Sequence, residues 1–188
     1  MALIRTFICI ELSREMTIKV RDYQYYIKTF GRGVRWVKPE GIHLTLKFLG
    51  DVEEANIANI AERLKPIAQD FAPFKIKLAG SGAFPNFKRP RVYWIGVEEA
   101  TGTLVNLHDQ IDDALEKEGF EKDQREFSPH LTLGRVKFIQ QVQKISAELQ
   151  RTNFEGGEFQ PREIVIMKSE LQPSGAIYAP LHKLPFKN

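Results

Sequence analysis

Several things are scarce in this chain, and each shortage narrows what it can be. Its 188 residues include a single cysteine, Cys9, so no intramolecular disulfide can form and a reducing, cytoplasmic setting is expected. Cys9 lies inside an apolar run, which suits an inert buried thiol and not a nucleophile. Long hydrophobic runs are missing. Leu3-Ile4 is followed at once by Arg5, which speaks against a signal peptide, and no stretch nears the roughly 20 apolar residues that span a bilayer. A large excess of charge of one sign is also lacking: the net charge is +3, compatible with an anionic ligand without demanding nucleic acid. No low-complexity tract or Pro/Gly/Ser linker divides the chain. Histidine occurs only four times.

What is present is an ordinary globular composition, 43% hydrophobic and 27% charged, enough to bury a real core. Against the shortage of histidine, one tetrapeptide appears twice, His43-Leu44-Thr45-Leu46 and His130-Leu131-Thr132-Leu133. Each copy lies in a strand-like run. Ile42, Leu44, Leu46 and Phe48 share one parity; His43, Thr45 and Lys47 share the other, off the apolar face. The second copy repeats the pattern with Leu131 and Leu133 inward. Two matching half-sites of one cleft are the expectation.

The rest of the chain alternates strands and helices. Leu3 to Leu12 reads as a buried strand, and Ser13 as the N-cap of a helix striped by Met16, Val20, Tyr23, Ile27 and Phe30. Val34 to Lys38 and Ile42 to Leu49 read as strands. Asp51 with Glu54 resembles a capping box for a second helix, which Pro66 should kink or end early. A strand through Phe74, Ile76 and Leu78 is followed by a turn-rich loop, Gly80 to Arg91. Val92 to Val97 is a strand, Thr103 to Glu118 a helix, and Gln140 to Gln150 a shorter one. Gly156-Gly157 precede two terminal strands, about Arg162 to Leu171 and Ile177 to Leu184. The expected fold is α+β and bilobal. Two similar lobes, each a largely antiparallel sheet with outer helices, would form one domain over residues 1–188 with the motif strands lining a groove between them.

Imidazole, with an ordinary pKa of about 6.5, holds or releases a proton near neutrality. Two of them across a bound phosphate can serve as acid and base in one in-line displacement. A hydroxyl two residues along the strand can donate to a non-bridging phosphate oxygen. His108 flanks a helix stripe and His182 faces outward without a threonine partner, so both read as structural. The accompaniments of a metal site, a Cys cluster, His-x-x-x-His or a carboxylate, are missing from both motifs.

His43-Leu44-Thr45-Leu46 and His130-Leu131-Thr132-Leu133 resemble the paired His-x-Thr-x motifs of the two-histidine (2H) phosphoesterase superfamily. The surrounding chain is similar to its LigT-like branch, the RNA 2′,3′-cyclic phosphodiesterases also called 2′-5′ RNA ligases. The likeness extends to Phe7-Ile8-Cys9-Ile10-Glu11-Leu12, Leu46-Lys47-Phe48-Leu49-Gly50, Gly82-Ala83-Phe84-Pro85-Asn86, Leu133-Gly134-Arg135 and Pro173-Ser174-Gly175-Ala176-Ile177-Tyr178. It implies a bilobal fold and chemistry without metal or cofactor, in which water opens an RNA-terminal 2′,3′-cyclic phosphate to a 2′-phosphate. It further implies His43 as proton donor, His130 as proton acceptor, Thr45 and Thr132 on the phosphate oxygens, and weak, reversible 2′-5′ RNA ligase activity.

Arg135 matches the arginine that follows the second motif in that family, and a guanidinium suits a phosphate's developing charge. Simple alternation sets it opposite His130 and Thr132, so a bulge at Gly134 is needed to turn it into the cleft. Trp36, Phe84, Phe87, Lys88, Arg89 and Arg91 are candidate RNA contacts, since aromatics stack on unpaired bases and cations meet the backbone. The expected partners are RNA ends bearing 2′,3′-cyclic phosphate or small cyclic nucleotides, with no membrane, and the chain is expected to act as a monomer. Two rivals stand beside this: a non-catalytic RNA-end binding module, and a phosphodiesterase acting on small cyclic phosphates or 2′-5′ oligonucleotides.

Overall fold

β1 (Leu3–Glu11) explains why its run is apolar almost throughout: it is buried on both faces. Ile8 and Ile10 join the main core beneath the helices, while Phe7 and Cys9 pack with Val165, Met167 and Tyr178 on the other face. A computed structural model describes residues 2–172 and 175–187; Pro173 and Ser174 of the terminal motif lie outside the described residues. Ser13 caps α1 (Arg14–Lys28) as expected, its hydroxyl accepting from the Met16 N–H at 3.2 Å.

The chain continues through β2 (Val34–Trp36), a 3₁₀ turn over Pro39–Gly41, β3 (His43–Glu53), α2 (Glu54–Asp70), β4 (Ile76–Phe84), β5 (Val92–Glu98), α3 (Thr103–Glu116), β6 (His130–Val136), α4 (Gln143–Arg151), β7 (Glu155–Phe159), β8 (Glu163–Gln172) and β9 (Gly175–Pro185). Among the described residues the nine strands form one sheet, ordered β7-β4-β5-β6-β3-β1-β8-β9, with β2 added on β6. The architecture is the α+β one expected, but the sheets of the two halves are continuous. They join where the motif strands meet, with Leu44 paired to Leu131. Helices α1 and α4 cover the β4–β7 half, and α2 and α3 cover the half built on β3, β8 and β9. Among the described residues no helix is long and apolar enough to cross a membrane.

Four local expectations are corrected. Asp51 makes no capping box: β3 pairs with β1 as far as Leu3–Glu53, so Asp51 stays in the strand and Glu53 takes the N-cap position without a side-chain bond. Pro66 neither ends nor shortens α2. Its flank is exposed, where water can reach the carbonyl it leaves unpaired, while Ile57, Ile60, Leu64 and Ala68 hold the opposite face in the core. Gly80 to Phe84 is strand, not loop. Gly80, at φ 74°, lets β4 bulge against β5 and continue. The Gly156-Gly157 pair lies inside β7, which sequence reading missed.

Candidate active site

Both motif strands carry a bulge at the same place. In β3, Cys9 pairs with Thr45 but Ile8 with Lys47, so Leu46 is the extra residue. In β6, Trp94 pairs with Thr132 but Tyr93 with Gly134, so Leu133 is the extra residue. Each bulge reverses the parity beyond it. Arg135 therefore comes round to the cleft side, as the Gly134 argument requires. Lys47 does the opposite of what alternation suggests: it turns away from the cleft and is 2% exposed, while Phe48 takes the cleft-side place and is 64% exposed.

The single pairing of Leu44 with Leu131 sets the relation of the two motifs. One residue to either side, antiparallel order places His43 across from Thr132 and Thr45 across from His130, all four off the buried face. The imidazoles are held alike. His43 Nδ1 lies 2.8 Å from the Gly41 carbonyl and His130 Nδ1 lies 2.7 Å from the Ser128 carbonyl, each two residues back along the chain. A carbonyl only accepts, so Nδ1 carries the proton in both rings and Nε2 is the nitrogen left for chemistry.

The surroundings differ. His43 stacks on Phe7 (centroids 4.5 Å apart, 26° between planes) and meets the edge of Tyr178 at 5.1 Å. Gly41 leaves room for that ring, since a Cβ there would come within 3.0 Å of Tyr178. Burial in this aromatic setting pushes the His43 pKa down, against the opposing pull of the Gly41 carbonyl and the Glu11 carboxylate. His130 meets Phe84 edge-on at 4.9 Å, and Trp94 stands farther off at 6.5 Å.

A cleft of about 510 Å³ lies over the motif strands, lined by His43, Thr45, Thr132 and Arg135 and, farther along, by Arg5, Arg35, Lys38 and Leu171. His130 is outside that lining, beyond Thr132 on β6. The Arg135 guanidinium acts on Tyr178: burial pushes that phenol's pKa up, and the Arg135 charge opposes the rise. Arg135 shares the cleft lining with Tyr178 and His43. Among the described residues no group of three or more His, Cys, Asp or Glu side chains could hold a metal ion.

The RNA-contact candidates separate. Phe84 reaches the site through His130. Trp36 contributes to the cleft wall, but its ring packs over Gly134, with the Lys28 amine 5.7 Å from its centroid. Phe87 packs on the core. Lys88, Arg89 and Arg91 are exposed on the turn after β4, outside the cleft lining; Asn86 Oδ1 accepts the backbone N–H of Lys88 and of Arg89. His108 is buried and His182 exposed, both away from the cleft lining. Sequence reading missed Phe7, Tyr178, Phe48, Arg5 and Arg35 as cleft residues. Strand parity on β1 could have found Phe7, which shares a face with Arg5.

Residues 32–173 match the model of the 2′-5′ RNA ligase superfamily. The chain is 37% identical over 178 residues to an RNA 2′,3′-cyclic phosphodiesterase of Methanocaldococcus jannaschii, covering 93% of this chain and 96% of that one. It is 39% identical to the protein of that name from Archaeoglobus fulgidus, covering 94% and 97%. Among solved structures, TT0787 of Thermus thermophilus superposes with a TM-score of 0.80 at 28% identity over 96% of this chain and 97% of that one. Escherichia coli LigT complexed with 3′-AMP shares the fold, at TM-score 0.78 and 21% identity over 99% of both chains. With its paired His-x-Thr strands joined at Leu44 and Leu131, the chain belongs to the 2′-5′ RNA ligase superfamily.

Proposed function

We propose that this protein is an RNA 2′,3′-cyclic phosphodiesterase, opening a terminal 2′,3′-cyclic phosphate to a 2′-phosphate, and that the chain acts as a single monomeric domain. The observation that carries the mechanism is the matched pair of imidazoles, each with Nδ1–H tied to a backbone carbonyl and Nε2 left for proton transfer. His130 takes a proton from water as the water oxygen bonds to phosphorus. The bond from phosphorus to the ribose 3′-oxygen breaks, and His43 gives that oxygen its proton. Thr45 and Thr132 donate to the non-bridging oxygens, and Arg135 meets the charge that builds on them.

Burial favours the neutral form of His43 in the free protein, so its readiness to donate a proton depends on what the substrate brings beside the ring. An anionic phosphate beside the ring favours the imidazolium and supplies that condition. With an RNA 5′-hydroxyl in place of water as the nucleophile, the same steps in the same direction form a 2′-5′ linkage, and their reversal breaks it. The extension of the cleft along Arg5, Arg35 and Lys38 supports an RNA end over a cyclic mononucleotide, since cations spaced along a groove suit successive phosphates.

The test is turnover of a cyclic-ended RNA and of a cyclic mononucleotide, both in excess chelator, with the product identified by phosphorus NMR. A 2′-phosphate from both, with higher kcat/KM on the RNA, is expected. Tight binding of phosphate-ended RNA without turnover would favour the binding-module reading instead.

A further inference from the structure

The loop that leads into the second motif strand is held from behind by the first. The Leu46 bulge turns Lys47 into the space between β3 and α3, where its amine pairs with Asp112, itself 7% exposed. The same amine donates to the Glu121 carbonyl at 2.8 Å. Glu121 belongs to the irregular segment 117–129 between α3 and β6. Asp112 Oδ1 lies 3.5 Å from the Asp123 N–H, and the Asp123 carboxylate stands 3.9 Å from the Lys47 amine and 3.7 Å from His108 Nε2. His108, buried on α3, lays its ring flat on Phe127 at 4.1 Å and 10°. The next residue is Ser128, whose carbonyl accepts the Nδ1–H of His130.

A buried ion pair is a weak source of stability, because removing both charges from water offsets most of their attraction; an apolar pair of similar volume could hold the same elements together. What the ammonium adds is direction. It has several donors on one point, and it directs one to the carboxylate of a rigid helix and another to the carbonyl of a loop. The other half of the molecule solves its local problem differently. Gly134 stands where Lys47 does, and Gln24 of α1 reaches across to donate to the carbonyl of the bulged Leu133 at 3.0 Å.

We propose that Lys47 is a positioning residue for His130: through Asp112, Glu121 and the Phe127–His108 stack it fixes the loop whose Ser128 carbonyl sets the orientation and tautomer of that imidazole. One half-site thereby holds the other's histidine in place from the rear. This rests on His130 being the proton acceptor, but the decisive readout needs no turnover.

The experiment uses the full chain with Lys47→Met, which keeps the length of the side chain and removes the amine. Proton NMR follows the two downfield imidazole Nδ1–H resonances, assigned by comparison with His130→Gln. The His130 signal is expected to broaden or disappear while that of His43, anchored on Gly41 in a turn that Lys47 does not touch, stays. Alongside, kcat falls roughly tenfold with KM within about twofold, since misplacing a catalytic group weakens the chemical step more than binding. Phe127→Leu loosens the same loop without stranding a buried charge, and is expected to weaken the His130 signal selectively, to a smaller extent. The proposal is overturned if both signals change together in Lys47→Met, or if neither does. If Lys47→Met does not fold, an unchanged His130 signal in Phe127→Leu overturns it. Failure of the proton-acceptor reading itself would show separately, as turnover surviving in His130→Gln.

Discussion

The two half-sites share a backbone and differ in what their neighbouring strands bring. In each, a histidine gives its Nδ1–H to the carbonyl two residues back, an aromatic edge meets the ring, and a bulge at the second leucine reverses the strand beyond it. At His43 the adjacent strand supplies a stacked ring, Phe7, with centroids 4.5 Å apart. At His130 the adjacent strand supplies Trp94, tilted by 58° and 6.5 Å away. Past the bulge the equivalent cleft-side places hold Phe48 in one half and Arg135 in the other. Repetition of a motif therefore duplicates the presentation of a side chain without duplicating its chemistry. In the proposed mechanism, residues outside the repeat are what give the two histidines different roles.

The largest effect is expected from removing either imidazole. His43→Ala and His130→Ala should each lower kcat by about 10²–10⁴-fold, the range of general acid–base catalysis, with circular dichroism unchanged. The residual rates then distinguish the halves. A proton donor must be protonated and an acceptor deprotonated, so His43→Ala should flatten the alkaline limb of the pH–rate profile and His130→Ala the acidic limb. Loss of the same limb in both variants would break the comparison.

Next in size is the pair of places beyond the bulges. Arg135→Met should cost on the order of 10²-fold in kcat, as for removal of one donor to a developing oxyanion. Phe48→Leu, at the equivalent position in β3, should leave kcat within about threefold and act on KM, since an exposed ring on the cleft wall can stack on substrate but offers no donor to the developing charge. Equal losses in kcat from the two would mean that the bulges create one shared function, and the chemical asymmetry between the half-sites would fail.

How far the chain could be read in advance follows from the range of the forces involved. The motif strands, Ser13 as a cap and the order of helices and strands were legible because parity, capping and helical periodicity act within a few residues. The Arg135 turn was legible only because Gly134 invites a bulge. The matching bulge at Leu46 has no such residue, and the apolar-looking parity of Ile42 to Phe48 hid it; hence Lys47 was set on the wrong face. It follows from pairing with β1, whose Ile8 faces Lys47 from the core side. Asp51 and Pro66 mislead for the same reason, since strand pairing and a buried helix face override a local signal. Phe7 and Tyr178 meet His43 from strands far away in sequence, and no spacing rule brings them together.

The smallest predicted effect tests whether the stacked ring is what sets His43 apart. Burial lowers the His43 pKa in the folded protein, so the unfolded chain, with an ordinary value near 6.5, binds that proton more readily. Unfolding then takes up a proton in the interval between the depressed folded value and about 6.5, and stability rises with pH there. His43's contribution is fully present above the unfolded value and is lost as pH falls through the folded one. Thermal melts of the wild type and His43→Gln from about pH 7.5 down to about pH 5 should show the wild type losing more, by on the order of a few degrees. Phe7→Leu removes the flat contact and makes this half-site resemble the other. Its melting temperature should be lower throughout, but its fall with acid should be shallower than the wild type's, because a better-hydrated His43 protonates nearer its ordinary value. A fall as steep as the wild type's would mean that the desolvation comes from Tyr178 and the strand backbone, and that the contrast between Phe7 and Trp94 is not what separates the two histidines.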